Sequence, residues 1–87
     1  MSREGLQIVT ELKRIIADDL DVNLKFDEID DKVPLLGAGL HLDSVVIVEL
    51  ISLIEDRFGF EFDDSDLNLE SFRNLTTLAG VIERRAA

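Results

Sequence analysis

Eighty-seven residues, 46% of them hydrophobic and none of them cysteine, fit one small domain spanning 1–87 with a modest core. They exclude disulfides, thiolate metal sites and a deep catalytic cleft. The formal net charge of −10 arises between Asp18 and Asp66; it disfavours nucleic acid and anionic membranes and favours basic protein surfaces.

The longest unbroken apolar run, Val45–Val48, is too short to span a membrane, and the N-terminus has no signal-peptide core. A cytoplasmic monomer is expected. In chain order, residues 3–20 read as a helix with Leu6, Val9, Leu12, Ile16 and Leu20 on one stripe, widened by Ile8 and Ile15. Ser2 is a candidate cap for it. Residues 21–42 read as a long connection, pinned to the core by Phe26, Ile29, Leu35 and Leu36, halted by Pro34 and turned at Gly37 and Gly39. Its length points to function.

The spacing of Ile47, Leu50, Ile51, Ile54 and Phe58 predicts a second helix over 44–58, with Val48 widening the stripe and Gly59 ending it. The β-branched run Val45-Val46-Ile47-Val48 is locally strand-like, but the period beyond it is helical. Phe60-Glu61-Phe62 reads as an extended link. Ser65 or Asp66 then caps a short third helix carrying Leu67, Leu69 and Phe72. Asn74 or Thr76 starts a last helix with Leu75, Leu78, Val81 and Ile82 inward, and Arg84 and Arg85 suit its C-terminal dipole. The expected fold is all-α: a four-helix bundle with a long loop between helices 1 and 2 and a short helix 3.

Ser44 stands where a Gly-containing loop meets an apolar helix. Alone, such a serine reads as an N-cap whose hydroxyl accepts a bond from a first-turn N–H. Its setting adds weight: a small, acidic, helical domain with the serine heading helix 2.

The segments Gly39-Leu40-His41-Leu42-Asp43-Ser44-Val45, Val48-Glu49-Leu50 and Ile54-Glu55-Asp56-Arg57-Phe58-Gly59 resemble the acyl carrier and peptidyl carrier protein family, as do Phe60-Glu61-Phe62 and Leu75-Thr76-Thr77-Leu78. The likeness covers nearly the whole chain. It implies a bundle of acyl-carrier type and a protein that is not an enzyme. It also implies a 4′-phosphopantetheine arm, taken from coenzyme A, on the Ser44 hydroxyl. A phosphopantetheinyl transferase would attach the arm, and the arm would hold acyl or aminoacyl thioesters for lipid or secondary-metabolite biosynthesis. A helix N-terminus favours the phosphodiester anion through its free N–H groups and dipole. Asp43, Val45, Glu49, Glu55 and Asp56 match positions that dock on basic surfaces of loading and processing enzymes.

Three departures point to a specialised free-standing carrier. Val46 stands where many fatty-acid carriers have an acid, the loop before Asp43 is longer, and Asp66–Asn74 is long for the third helix.

Other readings are weaker. His41, Asp43 and Ser44 are nearly contiguous, without the line of nucleophile, base and orienter that a triad needs, and His41 reads as a loop residue modulating the arm or a partner contact. Asp63-Asp64-Ser65-Asp66 lacks the Gly and Glu of a calcium loop, so no metal site is expected. The rival class is a small acidic interaction module without a prosthetic group, in which Ser44 would be dispensable.

Overall fold

The computed structural model describes residues 3–20, 22, 24–36, 40 and 42–86. Ser2, Gly37, Gly39 and His41, and the roles expected of them, lie outside the described residues. Three α-helices make the frame: α1 (Arg3–Arg14), α2 (Ser44–Phe58) and α3 (Leu75–Ala86). Short helical turns lie between them, and the described residues contain no strand.

The first helix changes pitch near its end. Ile15–Asp19 form a π turn, closed by a 3.0 Å bond from Leu20 N to Ile15 O. Adjacent Ile15 and Ile16 are both fully buried, and Leu20 is nearly so. The wider turn brings these side chains onto the core while Asp18 and Asp19 stay outside.

The core joins Leu12, Ile15 and Ile16 to Leu35, to Leu50 and Ile54 of α2, and to Leu75, Leu78 and Ile82 of α3, all fully buried. Each such side chain contributes about 1.5–3 kcal/mol relative to exposure. The expected inward stripe of α3 is present, and so are Ile29 and Leu35 as anchors of the connection. Leu36 is half-buried.

The expected short third helix is not formed, so three α-helices stand where four were expected. Between α2 and α3 there is a single 3-10 turn, Asp64–Asp66, followed by turns and bends. Its cap is Asp63, not Ser65 or Asp66: Asp66 Oδ2 accepts the Asp63 N–H. Local side chains take over backbone groups that a helix would use. Asn68 Nδ2 donates to Ser65 O at 2.7 Å, and Asn68 Oδ1 accepts from Ser71 N at 2.9 Å. Of the three apolar residues assigned to this segment, only Phe72 is buried.

Other expectations need correction. Val48 is 64% exposed, because it sits about 160° round α2 from Leu50. Leu6 is 57% exposed, about 120° round α1 from Leu12. Phe26 is a surface ring 5.8 Å from the Lys13 ammonium, while Ile29 does the pinning.

Candidate functional site: the N-terminus of α2

Asp43 is the last extended residue before α2, at φ −89° and ψ 175°. Its Oδ1 accepts the Val46 N–H at 2.9 Å and its carbonyl accepts Ile47 N at 3.0 Å. Asp43 is therefore the N-cap. Ser44 is the first helical residue, exposed to solvent, and the reading of Ser44 as its own cap is overturned. A neighbour does the capping, which leaves the Ser44 hydroxyl without a partner among the described residues. The N–H groups of Ser44 and Val45 precede the intrahelical ladder and face the same end. An anion bonded to Ser44 Oγ fits this place.

The residues before Asp43 hold that end still. Leu42 N donates to Leu35 O at 2.9 Å, Leu35 N to Arg73 O at 3.1 Å, and Leu40 N to Pro34 O at 2.8 Å. Leu40 and Leu42, four and two residues before the serine, are buried. Asp31 also ties the connection to α3: its carbonyl accepts Thr76 N at 3.2 Å and its Oδ2 accepts the Thr76 hydroxyl at 3.2 Å. Asn74, one of the two expected starts, caps α3 by accepting Thr77 N at 2.8 Å.

Along α2, Val45, Val48, Glu49, Ser52 and Asp56 are all exposed and fall within about 100° of arc. They form a strip with two valines next to Ser44 and two carboxylates about 10 Å apart along the axis. Val48, which the sequence pattern assigns to the core, joins this strip instead. Glu55 stands at the edge, half-buried, and its Oε2 accepts the Phe62 N–H at 2.9 Å, fastening the chain beyond Gly59. Gly59 ends the helix in the left-handed region, at φ 71°.

The only base of α2, Arg57, is turned away from the strip. It pairs with Glu11 of α1 at 2.6 Å and with Asp19 of the π turn at 3.4 Å. The strip therefore keeps its negative charge undiluted by its own helix.

The Asp63–Asp66 cluster is drawn together by a guanidinium. Arg85 meets Asp66 at 2.7 Å and Asp63 at 2.8 Å. The hydrogen bond from Arg85 holds the Asp66 carboxyl below its usual pKa against the opposing effect of burial, and Asp66 in turn raises that of Arg85. No cluster of potential metal ligands occurs among the described residues.

A cavity of about 840 Å³ lies at the other end of α2, walled by Glu4, Ile8, Glu11, Phe58, Glu83 and Ala86. Phe58 stands about 21 Å along the helix from Ser44. This space does not adjoin the serine.

Residues 10–82 match the family model described as "Phosphopantetheine attachment site". The chain belongs to the phosphopantetheine attachment-site family. An acyl carrier protein of Coprothermobacter proteolyticus is 36% identical over 83 residues, covering 95% of this chain and 93% of that protein. Among solved structures, the solution NMR structure of a holo acyl carrier protein from Nitrosomonas europaea is similar at TM-score 0.75 and 28% identity, over 90% of this chain and 94% of that one. A second, at TM-score 0.71 and 28% identity, covers 87% of this chain and 97% of the other. It comes from a crystal structure of an engineered Bradyrhizobium japonicum glycine:[carrier protein] ligase complexed with a carrier protein from Agrobacterium tumefaciens and ATP. The chain is thus a carrier with an acyl-carrier-like helical fold, and not an enzyme; its family's prosthetic group is a covalent 4′-phosphopantetheine. No described helix is long and apolar enough to cross a membrane.

Proposed function

We propose that Ser44 carries the 4′-phosphopantetheine arm, and that this single carrier domain presents acyl or aminoacyl thioesters to partner enzymes in the cytoplasm as a monomer. The observation that carries the reading is the exposed, uncommitted hydroxyl at the first position of α2, with the cap supplied by Asp43. Ser44 Oγ forms a bond to the β-phosphorus of coenzyme A. Adenosine 3′,5′-bisphosphate leaves, and the hydroxyl proton passes to a base of the transferase. The bound arm supplies a terminal thiol for thioester exchange. The chain's own residues orient its root: the N–H groups of Ser44 and Val45 offset the phosphodiester charge, and the buried Leu40 and Leu42 hold the site in place.

Partner enzymes with basic surfaces then meet the strip on α2. Glu49 and Asp56 lead, Val45 and Val48 supply apolar contact beside the arm, and Asp43 and Glu55 flank it. Opposite charges across such a face chiefly speed encounter and fix orientation.

The cargo has two candidates. The name of the Coprothermobacter relative favours an acyl group in lipid or polyketide synthesis. The likeness to a structure with a glycine:[carrier protein] ligase, together with Val46 in place of an acid, favours an aminoacyl group.

Intact-protein mass, after incubation with coenzyme A and a broad-specificity transferase, tests the attachment. The parent gains one phosphopantetheine and Ser44→Ala gains none. A parent that gains none, from a folded sample with active transferase, favours the interaction module without a prosthetic group. Loading the holo form in parallel with fatty acids and amino acids by the matching ligases then separates the cargoes.

A further inference from the structure

We infer that the open cavity at the far end of α2 is a docking groove for a basic amphipathic helix of a partner protein, one with aliphatic anchors flanked by lysine or arginine. Three helix ends build the groove. α1 lends Glu4, Gln7, Ile8 and Glu11. These four fall within about 100° of arc and about 10 Å of helix axis, a face two turns long. α2 lends its last residue, Phe58, and α3 its last turn, with Glu83 and Ala86. Ile8 and Phe58 are half-buried, packed on the core while lining the groove. Past Gly59 the chain turns to the contacting rings of Phe60, Phe62 and Phe72, none of which lines it.

Charge selects the occupant. Glu4, Glu11 and Glu83 line the groove, and no base does among the described residues. Arg57, next to Phe58, is committed to Glu11 and Asp19, and Arg85 of α3 to Asp63 and Asp66. The C-terminal ends of α2 and α3 add the negative ends of their dipoles, while Glu4 in the first turn of α1 offsets the positive end of that helix. A second copy of a chain with net charge −10, or an anionic membrane, is repelled. A small organic cation answers the carboxylates but leaves the apolar floor uncovered. A basic helix answers both: anchors at i, i+3, i+4 and i+7 cover about two turns, the length of the α1 face, and the flanking bases reach the rim. The volume of about 840 Å³ gives room for such anchors.

Phe58 stands about 21 Å along α2 from Ser44, so a helix seated here leaves the serine uncovered. On the carrier reading above, it holds the domain by its far end while another enzyme works at the arm, and raises the effective concentration of the two. The groove itself needs no prosthetic group.

The test is an NMR titration of the 15N-labelled full chain in its apo form. The probe is a capped peptide of leucine and lysine, about 15 residues long so that it can become helical, with leucines at i, i+3, i+4 and i+7. A second peptide has the same composition with the leucine spacing scrambled. The spaced peptide is expected to bind saturably below about 1 mM, at least about fivefold tighter than the scrambled one, and to shift the amides of Gln7, Ile8, Glu11, Phe58 and Ala86 most. Ile8→Gln, which removes apolar floor, and Glu4→Lys, which reverses an exposed rim charge, each weaken it at least about fivefold. Asp27→Lys makes the same charge change in the connection and stays within about twofold of the parent. No saturation, equal binding of the scrambled peptide, or shifts confined to the α2 strip overturns the inference. Equal losses in Glu4→Lys and Asp27→Lys do so too, since they assign binding to the general field. Groove shifts that appear on concentrating the chain alone assign the face to a second copy and also overturn it. Every readout is independent of the arm, so a parent that gains no phosphopantetheine overturns the carrier reading and leaves the groove standing, and a failed titration does the reverse.

Discussion

Replacing Asp43 separates two roles that one carboxylate holds. As a cap, it satisfies the Val46 N–H through a 2.9 Å bond on an exposed helix end. Loss of such a cap to alanine costs about 1 kcal/mol, with a range of about 0.5–2. For a domain of this size, 1 kcal/mol lowers the melting temperature by roughly 4–8 °C. Asp43→Asn keeps the acceptor oxygen and loses only the charge at the positive end of the helix, worth about 0.3–1 kcal/mol at an exposed site. Thermal unfolding followed by circular dichroism at low salt should therefore rank parent, Asp43→Asn and Asp43→Ala in falling order. Initial rates of phosphopantetheine transfer, taken well below each midpoint, then read the second role. If the charge guides the transferase, both variants slow alike; if the ordered helix start matters more, only Asp43→Ala slows. A melting temperature for Asp43→Ala equal to the parent's would refute the capping argument. Equal losses in both variants would transfer the stabilisation from the hydrogen bond to the charge.

Ser44→Ala, expected to abolish loading, should leave stability unchanged or slightly raised, because the hydroxyl caps nothing and alanine is the better helix former by up to about 0.5 kcal/mol; a clear drop in melting temperature would contradict this. Gly80 lies inside α3 with open space where a Cβ would stand, so Gly80→Ala should stabilise by about 0.5–1 kcal/mol in denaturant unfolding. Asp66 has a folded-state pKa below 3.8, so its pairing with Arg85 stabilises above that value and is lost as pH falls through the lower folded value. Arg85→Gln should thus be less stable than the parent at neutral pH and converge with it in strong acid; a gap independent of pH would refute the pairing. Reversing Glu49 and Asp56 to Lys should slow partner loading while leaving the melting temperature near the parent's, and unchanged loading rates would reject electrostatic docking.

Much of this was legible in the sequence because it depends on local rules. The bounds of α2 follow from the period of Leu50 and Ile54 and from Gly59, whose positive φ few other residues accept. Ser44 stands out in the sequence through its flanks, and the structure places it as the exposed first residue of α2. The failures have a common origin in contacts between distant residues. Nothing adjacent to Arg57 announces that it faces Glu11 and Asp19, and nothing near Asp66 points to Arg85. The third helix failed because Asp63, Asp66 and Asn68 bond to backbone groups around them, a competition that apolar spacing does not register. Val48 was misplaced because a β-branched run next to a clean stripe reads as more stripe. The helical angle, about 160° from Leu50, would have put it on the solvent side.

These misplacements share a physical pattern. Val48, Leu67 and Leu69 are apolar residues that a stability argument sends inward and the fold leaves in water. Isolated exposed leucines are ordinary on any surface. These stand on the α2 strip and on a turn anchored at both ends, and the bases Arg57, Arg73 and Arg85 are each paired with an acid. A domain with one small core gains nothing for folding by holding such residues outward in fixed geometry. Under the carrier reading it would gain a surface that is already shaped before a partner arrives. The same division holds at the serine, where Asp43 takes the structural duty and leaves the Ser44 hydroxyl without a partner among the described residues. In this chain the groups that hold the fold and the groups proposed to meet other proteins are different residues, often adjacent ones, and under the carrier reading that separation would let one small domain serve several enzymes without altering its core.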